Sequence, residues 1–190
     1  MSKLIFGVGD NDVSFKVRIN NKTIKEYSLW YDMIKRCYSS SFHQNKPTYK
    51  DCKVCEDWLK FSNFYNYCQE NKQWLDLGYQ LDKDLLIKNN KIYSPETCVF
   101  IPYELNMLLQ SQHSKKSNLP VGVKLNGNGF LARFSWKGKY VHLGTYPTKE
   151  EAEKIYLKAK EEFIQNISKQ YQGVISEIAH EALKSYKMVR

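Results

Sequence analysis

At 190 residues, with 42% hydrophobic and 14% aromatic content, the chain can pack one large domain or two small ones and falls outside the disordered class. Its 29 Lys and Arg against 20 Asp and Glu leave a net charge of +9, and a surplus of that sign draws a chain toward polyanions, nucleic acid first among them. No apolar run approaches the ~18 residues of a membrane span, and "MSKLIFGVGDND" lacks the apolar core of a signal peptide. No membrane partner is expected. Five cysteines, an odd number without a secretion signal, fit a reducing cytoplasm better than a disulfide framework.

In chain order, residues 1–26 read as an arm, with "VSFKVRINNKTIKEY" alternating about an Asn20-Asn21 turn. "YSLWYDMIKRC" (27–37) places Leu29, Trp30, Met33, Ile34 and Cys37 at helical spacing. "SSSFHQNKPTY" reads as a loop. The spacing of Trp58, Phe61, Phe64, Tyr65 and Cys68 predicts one helix over 58–69, its aromatics facing a core. Two short strands are predicted between Tyr79 and Tyr93 around "KNNK", then a helix over 102–109 with Pro102 in its first turn.

Polar, Ser-rich residues 111–118 read as a linker. Three strands follow, "VGVKL", "FLARFSW" and "KYVHLG", joined by "NGNG" and "KG", both turn signals. Thr148 and Glu151 form a capping box for a helix whose apolar stripe is Ala152, Ile155, Tyr156, Ala159 and Phe163. A last helix over 174–188 would bury Ile175, Ile178, Ala179, Ala182, Leu183 and Tyr186. Charge divides the chain: residues 1–110 hold 15 basic and 13 acidic residues, residues 111–190 hold 14 and 7. The fold class expected is α+β in two units.

Residues 119–166 carry Gly122-Val123, Gly129-Phe130-x-Ala132, Leu143-Gly144-Thr145-Tyr146-x-Thr148 and Glu151-Ala152-x-x-x-Tyr156-x-x-Ala159. With these the stretch resembles the ethylene-response-factor type of DNA-binding domain, found in plants and in phage and bacterial nucleases. The resemblance implies a three-stranded antiparallel sheet with a helix on one face and the DNA major groove on the other. Strand alternation agrees, turning Phe130, Ala132, Phe134, Val141 and Leu143 inward. The outward set is then Lys124, Asn126, Arg133, Ser135, Tyr140 and His142, which combines phosphate-neutralising cations with donors for base edges. The sheet has fewer arginines than the plant domains.

"LWYDMIKRCY", "PTYKDCKVCEDWLKFSNF" and "LDKDLLIKNNKIYSPETCVFIPYELN" resemble phage His-Asn-His (HNH) endonucleases with a ββα-metal unit, homing types included. That resemblance, over 27–109, implies a unit at 27–110 and a Mg²⁺- or Mn²⁺-dependent hydrolase acting on double-stranded DNA. It also implies Asp82 and Asn106 as metal ligands, Thr97 at the middle Asn position and Lys83 where the general-base His stands. Lys83 is a poor base at neutral pH. It would serve at the phosphate instead, with Asp84 the nearest candidate base and His43 a remote one. The alternative is a catalytically degenerate HNH-fold DNA-binding protein or regulator, and a third reading gives it a host protein partner. A phage origin would place the chain in the host cytoplasm. Cys52-Lys-Val-Cys55 is one CxxC pair, and a structural Zn²⁺ would need Cys37 and Cys98 to complete it; the blander reading is buried thiols.

Overall fold

The computed structural model describes residues 4–110 and 118–188. The predicted linker lies outside them apart from Asn118. The chain divides into two compact units, Met1–Phe100 and Ile101–Arg190, and the whole is a mixed α+β protein with small sheets. No helix among the described residues is long and apolar enough to cross a membrane.

In unit 1, β1 (Arg18–Ile19) and β2 (Lys22–Thr23) form a hairpin. Its turn is Asn20-Asn21, both left-handed (φ 49° and 60°), a conformation Asn tolerates better than most residues. Helix α1 (Lys25–Tyr38) buries Trp30, Met33, Ile34 and Cys37, the stripe read from spacing. The stretch read as a loop instead holds α2 (Ser40–Asn45) and a 3-10 turn at Pro47–Tyr49. Ser39 supplies the start signal, its hydroxyl accepting the Phe42 amide at 3.3 Å.

After β3 (Lys53–Val54), the single helix expected over 58–69 is two, α3 (Glu56–Leu59) and α4 (Phe61–Glu70). Lys60 between them is extended because the N-terminal arm inserts there: Asp10 N donates to Leu59 O at 2.8 Å, and Asp10 O accepts from Phe61 N at 2.9 Å. The core gathers Trp30, Trp58, Phe61 and Phe64, all essentially without exposure, and the Trp30 indole donates to Trp58 O at 2.7 Å. Beyond α5 (Lys72–Asp76), the strands around "KNNK" are β4 (Gln80–Asp82) and β5 (Ile92–Tyr93). They do not pair with each other. β5 runs parallel to β3, and β4 pairs with β6 (Val99–Ile101).

In unit 2, α6 (Tyr103–Leu109) starts just after Pro102, which sits at the N-cap. β7 (Val123–Asn126), β8 (Gly129–Trp136) and β9 (Lys139–Tyr146) form the expected antiparallel meander, and α7 (Lys149–Ile167) packs on it. Ala132 and Phe134 are buried, with Phe134 against Phe163 at 5.0 Å between ring centres. Gly122 is required at the sheet entry: its φ is +77°, and a Cβ there would lie 2.1 Å from the Tyr156 ring. A 3-10 turn at Ser168–Tyr171 leads to α8 (Glu177–Lys184), which buries Ala179, His180 and Leu183 but leaves Ile178 exposed. Of the predicted stripe, Ile175, Ala179, Leu183 and Tyr186 are buried, and the helix is shorter than the 174–188 expected.

Candidate functional site

β4 ends on Asp82, a buried carboxylate. Its Oδ1 accepts the backbone amides of Asp84 at 2.9 Å and Leu85 at 2.7 Å, an Asx turn that stops the strand. Among the described residues no donor bonds to its other carboxylate oxygen. Burial pushes the Asp82 carboxyl above the ordinary range; the Leu85 and Asp84 amides pull the other way, and the Asp84 charge adds to the rise.

Lys83 is buried too, and its charge is committed elsewhere. Nζ lies 2.6 Å from Asp84 Oδ1 and donates to Asn90 O at 2.7 Å. Asn90 returns the bond, its Nδ2 donating to Lys83 O at 2.8 Å and to Ile92 O at 2.6 Å. Lys83 and Asn90 therefore clasp the loop between β4 and β5 from both ends. The sequence reading assigns Asn90 no role; its signal is the Asn pair between the two predicted strands. Thr97 is a turn residue as well: Oγ1 donates to Ile92 O at 2.7 Å and accepts the Ser94 amide at 3.2 Å. His43 Nε2 is tied to Arg36 O at 2.9 Å. Asn106 lies in the other unit, buried on α6, where its Oδ1 accepts from Gln110 at 3.3 Å.

The cysteines are free thiols, with Cys37, Cys52 and Cys98 buried and Cys55 partly so. Burial pushes Cys37 up to about 12, with Cys52 and Cys98 near enough to modulate it. Cys98 is likewise raised to about 12 by burial. Among the described residues, one group places three His, Cys, Asp or Glu ligand atoms within 4.8 Å, and it holds no cysteine: Glu177, His180 and Glu181 on α8. His180 Nδ1 is buried without a hydrogen-bond partner, 3.8 Å from a carboxylate oxygen of each glutamate. The Glu-x-x-His-Glu spacing could have flagged it. Nδ1 and two carboxylates are donors suited to a divalent ion.

On the sheet, register settles which side chains share a face. Arg133 lies opposite His142, Ser135 opposite Tyr140 and Lys124 opposite Leu131, so the outward set predicted from alternation does lie on one face. Between Ala132 and Arg133 the ladder slips by one, since Ala132 pairs with Gly144 and Arg133 with His142. Leu143 is the bulged residue, and beyond it Thr145 faces Leu131 and joins the outward surface. There the Asn126 amide donates to Thr145 Oγ1 at 3.0 Å. Simple alternation through an unseen bulge could not place Thr145. The Arg133 guanidinium stacks 3.8 Å over the Tyr140 ring, and its Nε is buried without a partner. Lys124, Asn126, Ser135, Tyr140 and His142 are exposed. Comparison with family models, with curated proteins and with solved structures finds no match.

Proposed function

We propose that the protein is a divalent-metal-dependent DNA endonuclease of phage HNH type, with the duplex held by the outer face of the β7–β8–β9 sheet. The observation that carries the reading is Asp82: a strand-ending, buried carboxylate with one oxygen bonded by backbone amides and the other taking no bond among the described residues. Burial raises the Asp82 carboxyl even with the Lys83 charge nearby, so a bound cation would favour its ionised form, and Lys83 itself bonds Asp84 and Asn90. A carboxylate oxygen suits a hard ion such as Mg²⁺ or Mn²⁺, which takes few protein ligands and keeps several waters. Such an ion supplies Lewis-acid polarisation of the scissile phosphate.

The chain's own residues do the rest. The Leu85 and Asp84 amides orient the Asp82 carboxylate, and the Lys83–Asn90 clasp holds the loop that carries it. On the sheet, Lys124 and Arg133 neutralise phosphates, while Asn126, Ser135, Tyr140 and His142 offer groups to base edges.

A second reading has its own observation. By the resemblance Lys83 stands where the usual base would, and its ammonium bonds both Asp84 and Asn90, so the loop can serve as architecture in a DNA-binding protein that does not cut. One experiment divides the two: duplex DNA is incubated with Mg²⁺ or Mn²⁺ and wild type, Asp82→Ala or Asn106→Ala. The nuclease reading expects cleavage by wild type and a loss of about a hundredfold or more in each variant. Absence of cleavage with intact DNA binding would establish the second reading.

A further inference from the structure

A cleft of about 760 Å³ opens within unit 2, bounded by α6, the entry to β7, the far end of β8 and the inner flank of α7. Four cations line it, Lys124, Arg133, Lys137 and Lys160, against one acid, Glu104. Glu104 already accepts the Tyr171 hydroxyl at 3.3 Å.

Lys160 is the unusual member. It is 3% exposed, and its Nζ bonds to the Tyr156 hydroxyl at 3.2 Å. Among the described residues no carboxylate lies within 4.0 Å of it. Burial lowers it to about 8. The Arg133 Nε in the same wall is also buried and unpartnered. A buried cation without an anion is costly unless something supplies the countercharge. The remaining wall is apolar at Met107, Leu108 and Val121, with Tyr103 and Tyr140 at the exposed margin. A concave, mostly apolar lining with a few converging polar groups is the pattern of a small-ligand site.

We propose that this cleft binds a nucleoside monophosphate, its phosphate set against Lys160 and Arg133 and its base against the aromatic margin. The cations call for an anion, and Tyr103 with Tyr140 calls for a flat apolar body attached to it. The inference goes beyond DNA binding by the sheet, because Lys160 comes from α7 rather than from the outer sheet face.

The full chain is titrated calorimetrically with a 5′-mononucleotide, with the matching nucleoside and with inorganic phosphate, and Lys160→Met is titrated alongside. The mononucleotide should bind at least about tenfold more tightly than either fragment, and Lys160→Met should weaken it about tenfold while duplex affinity holds. Equal binding of phosphate and mononucleotide, unchanged binding by Lys160→Met, or no binding at all would each overturn the proposal. A parallel fall in duplex affinity would do so as well, by placing Lys160 on the DNA surface. Should the variant fold poorly, wild-type NMR decides: the Met107 methyl and Tyr156 ring signals must move with added mononucleotide, and their constancy sinks the site. Unchanged duplex binding in Lys124→Ala, with mononucleotide binding retained, would count against the sheet and leave the cleft standing.

Discussion

Lys160 places an ammonium where the fold offers it a phenol hydroxyl and the Tyr156 ring, 5.5 Å from the ring centre. Burial brings its pKa from 10.5 down to about 8. Below about 8 the folded chain carries the full cost of a desolvated charge, ~3 kcal/mol for a shift of that size. Between about 8 and 10.5 the unfolded chain holds the proton and the folded chain has released it, so stability must rise with pH. Tyr156 works in the opposite sense above pH ~10, because burial raises its phenol to about 12 and the folded state then holds the extra proton. Cys37 and Cys98, raised by burial from 9 to about 12, also oppose it from pH ~9, so the clean window is pH 8 to about 9. Lys160→Met keeps the stem and removes the charge, so it should gain ~1–3 kcal/mol at pH 7 and flatten the rise. Urea denaturation at several pH values measures both. A less stable variant at pH 7 would mean that the ammonium is favourably held.

Among the elements, α7 is the one whose start is most openly written. Thr148 Oγ1 accepts the Glu151 amide at 3.2 Å, as the capping box predicts. Thr148→Ala should cost ~1 kcal/mol in denaturant, and a loss below a few tenths would mean the helix end is held by the sheet instead. Caps, stripes and turns such as Lys137-Gly138 are legible because they are local, set by residues within a few positions. The α1 stripe and the three-stranded meander were readable for that reason. The break between α3 and α4 was not, because it is imposed by Asp10, far upstream. Nor was the choice of β3 rather than β4 as partner for β5, since a short strand does not name its neighbour. At the candidate site Asp82 could be picked out as the acid ending a strand. Its partners could not: the Lys83–Asn90 clasp depends on loop closure, and Thr145 depends on a bulge that one residue creates.

Across the whole molecule, charge is placed more tellingly than any single group. Residues 111–190 carry 14 basic residues against 7 acidic ones, whereas residues 1–110 are nearly balanced at 15 and 13. Binding to DNA through the basic half should release counterions, so the logarithm of the affinity must fall linearly with the logarithm of salt, by about 0.9 for each phosphate neutralised. Lys124 and Arg133 belong to one sheet face, and each should contribute about one such contact. The double variant Lys124→Ala, Arg133→Ala is therefore expected to lower the slope by about two and to weaken binding across all sequences. Arg133→Ala alone should also change base preference if its guanidinium leaves the Tyr140 ring to reach a guanine edge. Fluorescence anisotropy on a labelled duplex over a salt series reads the slope directly. A slope near zero in wild type would assign the association to something other than phosphate contacts and would remove the sheet from the DNA interface. A steep slope unaltered by the double variant would keep the DNA and move the contacts to other cations of the basic half.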